Sequence, residues 1–162
     1  MEVIFDTTRA VNDRVRRVLL TRDSSTTADD VLIIDYGRVI NSTSTGVLAP
    51  IANLGLSNAL RSSLVGWSKT LAREVARDGV TANIVVPGRV ATGRTLFLDQ
   101  ARATRENRTV ESVVAESTAA IPAGRYGTPE EYAGVVAFLA SARASYITGS
   151  MIRVDGGLIA GI

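Results

Sequence analysis

The residues with the means to do chemistry crowd into one stretch, Gly37 to Asp78, which reads GRVINSTSTGVLAPIANLGLSNALRSSLVGWSKTLAREVARD. Ser44 closes a Ser/Thr-rich strand end, and Ser57 and Arg61 stand four residues apart at the opening of a long helix. Spacing of i and i+4 puts those two on one helical face. A serine hydroxyl both donates and accepts, and an arginine brings a planar fork of donors with a charge that no protein environment removes. Such groups orient a polar ligand. The chain has no histidine and no cysteine, which excludes disulfides, thiol nucleophiles, Cys/His metal cages and any triad with an imidazole base. No metal site is expected.

Stepping outward, a chain of 162 residues suggests one domain, 1–162, large enough to bury roughly 70% of the surface its unfolded form exposes. Apolar residues make up 46% and charged residues 21%, the balance of a soluble globular fold. The net charge is +2 with arginines interleaved among acids, so no nucleic-acid footprint is expected. Lys69 is the single lysine. No apolar run approaches the ~20 residues that span a bilayer, and the amino terminus lacks a secretory core. The expected location is cytoplasmic, with no membrane partner.

Residues 3–22 place Val11, Val15, Val18 and Leu19 at helical spacing among charged neighbours, which predicts an amphipathic helix followed by a polar linker over 23–30. The apolar run 31–34 stays open between strand and helix. Val39 and Ile40 predict a short buried strand, and 47–55 a loop. From Leu56 to Asp78, Leu60, Leu64, Trp67, Leu71 and Val75 form a helical stripe expected to be core, with Ser57 as amino-terminal cap and Gly79 just past the carboxyl end. Val80–Val86 predicts a second buried strand stopped by Pro87-Gly88, and two short helices fall within 93–120. Thr128-Pro129-Glu130-Glu131 opens a helix running to about Ser141. Ser150–Val154 predicts a third strand before Asp155-Gly156-Gly157. Strands alternating with helices, each strand continuously apolar, predict an α/β fold with a parallel sheet of about three strands and helices on its faces.

With these elements placed, the chain resembles the short-chain dehydrogenase/reductase family, and within it the β-ketoacyl-carrier-protein-reductase-like members. Gly37–Ser44 is similar to the family strand that ends in the catalytic serine. Ser57, thirteen residues on, takes the place of the catalytic tyrosine, and Arg61 that of the catalytic lysine. The segments LVGWSKTLAREVA, NIVVPG, IPAGRYGTPEEYAGVVAFLAS and ASYITGSMIRVDGG follow in family order, over 37–157 and more weakly 5–22, where Asn12 resembles the asparagine of the family's tetrad. The resemblance implies a partial doubly wound, Rossmann-like sheet holding the later strands only, an NAD or NADP cofactor, a small carbonyl or acyl thioester substrate, and a homo-oligomer, a dimer packed through the long helix. It implies catalytic roles for Ser44, Ser57, Arg61 and Asn12, and cofactor contacts from Arg61, Pro87, Gly88, Val90 and Thr92.

Two departures accompany the likeness. The family's T-G-x-x-x-G-x-G turn, whose glycines let the backbone approach a pyrophosphate, occurs nowhere in the sequence. Nor does any Tyr-x-x-x-Lys: Tyr36, Tyr126, Tyr132 and Tyr146 are followed four residues later by Ile40, Glu130, Val136 and Ser150. An aliphatic hydroxyl at 57 is several pKa units less acidic than a phenol, at about 1.4 kcal/mol per unit. The proton for a developing alkoxide is then expected from water or the substrate. Each residue also has a plainer alternative. Ser44 either polarises a carbonyl or bonds its own backbone in a turn; Ser57 is a catalyst's stand-in or a cap; Arg61 holds a ribose or is a solvated helix residue. Pro87-Gly88 is a carboxamide loop or a strand stop, Asn12 a proton relay or solvated, and Trp67 core or interface. Three functions stay open: an oxidoreductase with altered catalytic residues, an inactive remnant whose surviving asset is oligomerisation, and a nucleotide or acyl-carrier binding module. If the chain lacks the earlier strands, its sheet edge is expected to drive association.

Overall fold

The computed structural model describes residues 37–161. The helix expected over 3–22, the linker 23–30, the run 31–34 and Asn12 all lie outside the described residues. In chain order the elements are β1 (Gly37–Ser42), α1 (Gly55–Val75), β2 (Val80–Pro87), α2 (Gly93–Glu106), α3 (Val110–Ala119), α4 (Pro129–Ala140) and β3 (Met151–Val154).

The strands form one sheet in the order β1-β2-β3, every pairing parallel. Gly37 lies opposite Val80 and Ser42 opposite Val85; Ile84 lies opposite Met151 and Pro87 opposite Val154. The amide of Thr43 bonds the Val85 carbonyl at 3.0 Å, carrying the β1–β2 ladder one residue further. The class is therefore the α/β fold expected, a partial Rossmann-like sheet flanked by helices. Among the described residues, β1 has a strand partner on one side only.

β2 is the central strand and is buried almost end to end, which is why its sequence runs apolar without alternation. Side chains still alternate between faces. Val80 and Ala82 join Leu71, Ala72 and Val75 of α1, with Val39 and Trp67 packed alongside. Val85 joins Leu139 of α4 on the opposite face, with Ile40, Tyr132, Val135, Ile152 and Val154 around them. The result is helix, sheet, helix. Of the two buried polar residues in β2, Thr81 and Asn83, Asn83 reaches toward β3: its amide donates to the Ile147 carbonyl at 2.7 Å and its oxygen accepts from the Ser150 amide at 3.1 Å. One buried side chain thus fixes the approach to β3.

Local chemistry sets the helix ends. Thr128 caps α4 through a reciprocal box: its hydroxyl accepts from the Glu131 amide and the Glu131 carboxylate accepts from the Thr128 amide at 2.8 Å. Thr92 and Thr109 cap α2 and α3 through their hydroxyls alone, accepting from the Thr95 and Ser112 amides. Gly79, at φ 72°, turns the chain out of α1 through a short 3-10 segment, a conformation that favours glycine.

The structure corrects two expectations about α1. Ser57 is not its cap. Leu54 occupies that position without a side-chain bond, because the chain enters the helix through Asn53 at φ 63° and the Asn58 side chain bonds the Ile51 carbonyl at 2.9 Å. The stripe is also core over only part of its length. Leu71 and Val75 are fully buried, but Leu60 is 63% exposed and Leu56 77%, since the first turns of α1 run beyond the cover of the sheet. Leu71→Ala is expected to cost about 2–5 kcal/mol of stability and Leu60→Ala about 0.5 or less. Urea unfolding of the two variants checks this division.

Candidate active site at the carboxyl ends of the strands

Because all three strands run the same way, their carboxyl ends share one edge, the edge where open α/β sheets bind ligands. At the end of β1, Thr43 is the hub. Its carbonyl accepts from Arg61 Nη1 at 2.9 Å, while Arg61 Nε donates to Ser57 Oγ at 3.2 Å. One helical turn therefore carries both partners, and the guanidinium bridges α1 to the peptide beside Ser44. Ser44 Oγ accepts from the Gly46 amide at 3.2 Å and starts the 3-10 turn Thr45–Val47. Thr43 Oγ1 is buried with no hydrogen-bond partner. Ser44, Ser57 and Arg61 are thus gathered at one strand end, with Arg61 joining the other two elements.

The loop leaving β2 is held mostly by its own chain. The Gly88 amide donates to the Val154 carbonyl at 2.9 Å; across the loop the Ala91 amide donates to the Gly127 carbonyl and the Gly127 amide to the Arg89 carbonyl. A Cβ at Gly88 would stand 2.7 Å from Asp155 Cα, so only glycine permits this approach of two backbones. Val90 pairs with Gly127 as an isolated bridge, and its carbonyl accepts from Thr95 Oγ1 at 2.6 Å. The Thr92 hydroxyl is taken up in capping α2, at 3.3 Å from the Thr95 amide. Pro87, Gly88, Val90 and Thr92 make a rigid rim whose position is set from within.

Two features at this edge carry no signal in the periodicity of the sequence. The first is a buried polar cluster. Asp99 of α2, 1% exposed, accepts from Arg89 at 2.6 Å and from the Tyr126 hydroxyl at 2.8 Å, and the Arg89 guanidinium lies 5.7 Å from the centre of the Tyr126 ring. Burial pushes the Tyr126 phenol up, and the adjacent carboxylate works in the same direction. This cluster ties the β2 exit to the α2–α3 pair. The second is a cavity of about 360 Å³ between the ends of β2 and β3 and the start of α4, lined by Val90, Thr128, Tyr132, Arg153 and Asp155 among others. The Tyr132 hydroxyl donates to Ser42 Oγ at 2.6 Å at its side. Sequence reasoning treats Asp99, Tyr126 and Tyr132 as ordinary helix and loop residues, because only tertiary contacts reveal their partners.

A parallel sheet layered between helices, with hydroxyls and a guanidinium gathered at its carboxyl edge, defines an α/β protein of the ligand-binding, doubly wound class. Comparison with known proteins makes the class specific. The family profile described as enoyl-(acyl carrier protein) reductase matches residues 20–159. The chain is 43% identical over 124 residues to the 3-oxoacyl-(acyl-carrier-protein) reductase of Vibrio cholerae, across 75% of this chain and 46% of that protein. It is 42% identical over 126 residues to the Escherichia coli protein of the same name, across 76% and 46%. Among solved structures, YwfH, an NADPH-dependent reductase involved in bacilysin biosynthesis, superposes with a TM-score of 0.75 at 32% identity over 79% of this chain and 49% of that one. An actinorhodin polyketide ketoreductase with NADPH gives 0.72 at 33% identity over 76% and 48%. The chain belongs to the short-chain dehydrogenase/reductase family of oxidoreductases. It spans about half the length of the curated relatives it matches.

The rim has an acid-sensitive fastening. The Arg125 guanidinium, with the Thr128 amide adding to it, holds the Glu131 carboxyl down to about 2 against a usual value of 4.5. A depressed carboxylate contributes stability above its unfolded pKa and loses it as pH falls through the folded one. Wild-type melting temperature is therefore expected to fall between about pH 4.5 and pH 2. Glu131→Gln should start lower at neutral pH and fall less across that window. Equal acid slopes in the two proteins would remove Glu131 from the acid response.

Proposed function

We propose that this chain is an NAD(P)-dependent oxidoreductase acting on a carbonyl/alcohol pair of the 3-oxoacyl type, with altered catalytic residues. The observation that carries it is the gathering of Ser57 and Arg61 on the Thr43 carbonyl beside Ser44, in the order and spacing of the family's catalytic strand and helix. The relatives, a 3-oxoacyl-(acyl-carrier-protein) reductase and a polyketide ketoreductase, support the substrate class. Ser44 polarises the carbonyl. Arg61 holds the nicotinamide ribose in place of a lysine, and Pro87, Gly88, Val90 and Thr92 frame the carboxamide.

The residues present fit the nicotinamide end of such a cofactor. Arg61 and the Thr92 hydroxyl are at the carboxyl edge, and Thr43 Oγ1 is a buried hydroxyl there without a partner. No strand among the described residues opens directly into a glycine-rich turn and helix that would cradle a pyrophosphate. When bound, the dinucleotide supplies a hydride to the carbonyl carbon. The chain's own work is to orient that carbonyl and bring a proton to its oxygen. Ser57 is unsuited to the second task as an aliphatic hydroxyl, and Arg61, charged at every working pH, lowers no barrier by releasing a proton. Among the described residues no helix is long and apolar enough to cross a membrane.

Titration with NADH and NADPH, followed by assay on an acetoacetyl thioester, tests the proposal. The double variant Ser57→Tyr with Arg61→Lys should raise turnover, up to about 100-fold, by placing a general acid of lowered pKa at position 57 itself. Absence of cofactor binding at millimolar concentration in both proteins would overturn it.

A second function, an oligomerisation module without turnover, is favoured by a different observation. Leu48, Ile51, Leu54, Leu56 and Leu60 are all exposed along one stretch of loop and helix, the kind of apolar surface that an interface covers. A second copy of the chain is the occupant proposed. Size-exclusion chromatography should show a dimer or larger, and Leu56→Glu with Leu60→Glu should dissociate it. A monomer in the unmodified protein would count against this.

A further inference from the structure

The phenol that position 57 lacks stands across the sheet. Alternation along β1 sends Asn41 toward α1, where its amide donates to Ser68 Oγ at 3.1 Å, and Ser42 toward α4. There the Tyr132 hydroxyl donates to Ser42 Oγ at 2.6 Å, two residues before Ser44. The Tyr132 ring packs in the cluster of Val85 and Leu139, so it is rooted in the core. Its edge lines the cavity with Val90 and Thr128. Of the tyrosines among the described residues, Tyr126 is committed to buried Asp99 and Tyr146 is fully exposed before β3. Of the two that stand at the carboxyl edge, Tyr132 is the one whose phenol bonds a residue of β1.

The bond to Ser42 could serve only to tie α4 to β1. Its acceptor is an exposed side chain, however, and the ring contacts that anchor α4 would be served equally by phenylalanine. A net hydrogen bond at such a site contributes about 1 kcal/mol or less, little reason for a phenol over a plain ring.

Resting on the oxidoreductase function above, the geometry points to Tyr132 as the source of the proton for the alkoxide, passed through Ser42 Oγ. As hydride from reduced nicotinamide adds to the carbonyl carbon, the C=O π pair becomes a lone pair on oxygen. The Ser42 O–H bond breaks to protonate that oxygen, and the Tyr132 O–H bond breaks to restore Ser42. The phenolate then takes a proton from water. The carbonyl is reduced by two electrons and the dinucleotide oxidised by two, so protons and electrons balance. Tyr132 acts through Ser42 and is a positioning and relay residue; Ser42 is the group that meets the substrate.

Two measurements on the full chain test it. Adding acetoacetyl thioester without cofactor should perturb the tyrosine ultraviolet band in the wild type, and Tyr132→Phe should abolish that difference spectrum. In turnover with NADPH, Tyr132→Phe should lower kcat about 100-fold with KM little changed and lose the solvent isotope effect, and Ser42→Ala should do the same. An unchanged kcat in Tyr132→Phe, or a wild-type difference spectrum that survives in it, would overturn the assignment. Wild-type protein without turnover would instead overturn the oxidoreductase function, and the difference spectrum would then decide whether Tyr132 faces the thioester.

Discussion

Parallel pairing on both sides of β2 is the constraint on which the rest of the molecule depends. Parallel neighbours cannot be joined by a tight turn, so each connection must cross a face of the sheet. α1 covers one face on the way from β1 to β2, and α4 covers the other on the way to β3. A strand covered on both faces must be apolar throughout, and VTANIVV is nearly so. The same pairing gathers every strand's carboxyl end at one edge. Polar residues left over from the core, at Ser42–Ser44 and Pro87–Thr92, have nowhere else to collect.

At that edge the polar side chains are committed to contacts within the chain itself. Arg61 spends two of its donors on Ser57 and a backbone carbonyl. A planar fork can satisfy two acceptors at once where an ammonium would offer a single mobile charge. Other polar bonds on the rim are also internal: buried Asp99 accepts from Arg89 and Tyr126, and Arg125 clamps Glu131. The edge is shaped by ion pairs and caps before any ligand arrives, which is the preorganisation a binding site needs.

The exposed first turns of α1 show the other consequence of position. Leu56 and Leu60 continue the same stripe that buries Leu71 and Val75, yet the sheet beneath them has ended. The periodicity of the sequence is uniform along the helix, and the cover is not. An apolar stripe that outruns its own sheet is either an interface or a liability for association, and the stripe's regularity explains why Leu60 was expected to be core.

Fold class, strand order in the chain, the two short helices and the Thr128 capping box were legible from the sequence, since each depends on neighbours within a few residues. So was the family, because motifs such as NIVVPG and the Ser44 to Arg61 spacing survive as a linear string. What the linear string could not decide is which groups meet. Ser57 lost its expected place as a cap because Asn53 and Asn58 set the helix entry one turn earlier. Tyr132 met Ser42 across 90 positions, and Asp99 met Tyr126 across 27. Those pairings come from the crossing of helices over a parallel sheet, and no period of 2 or 3.6 residues encodes them.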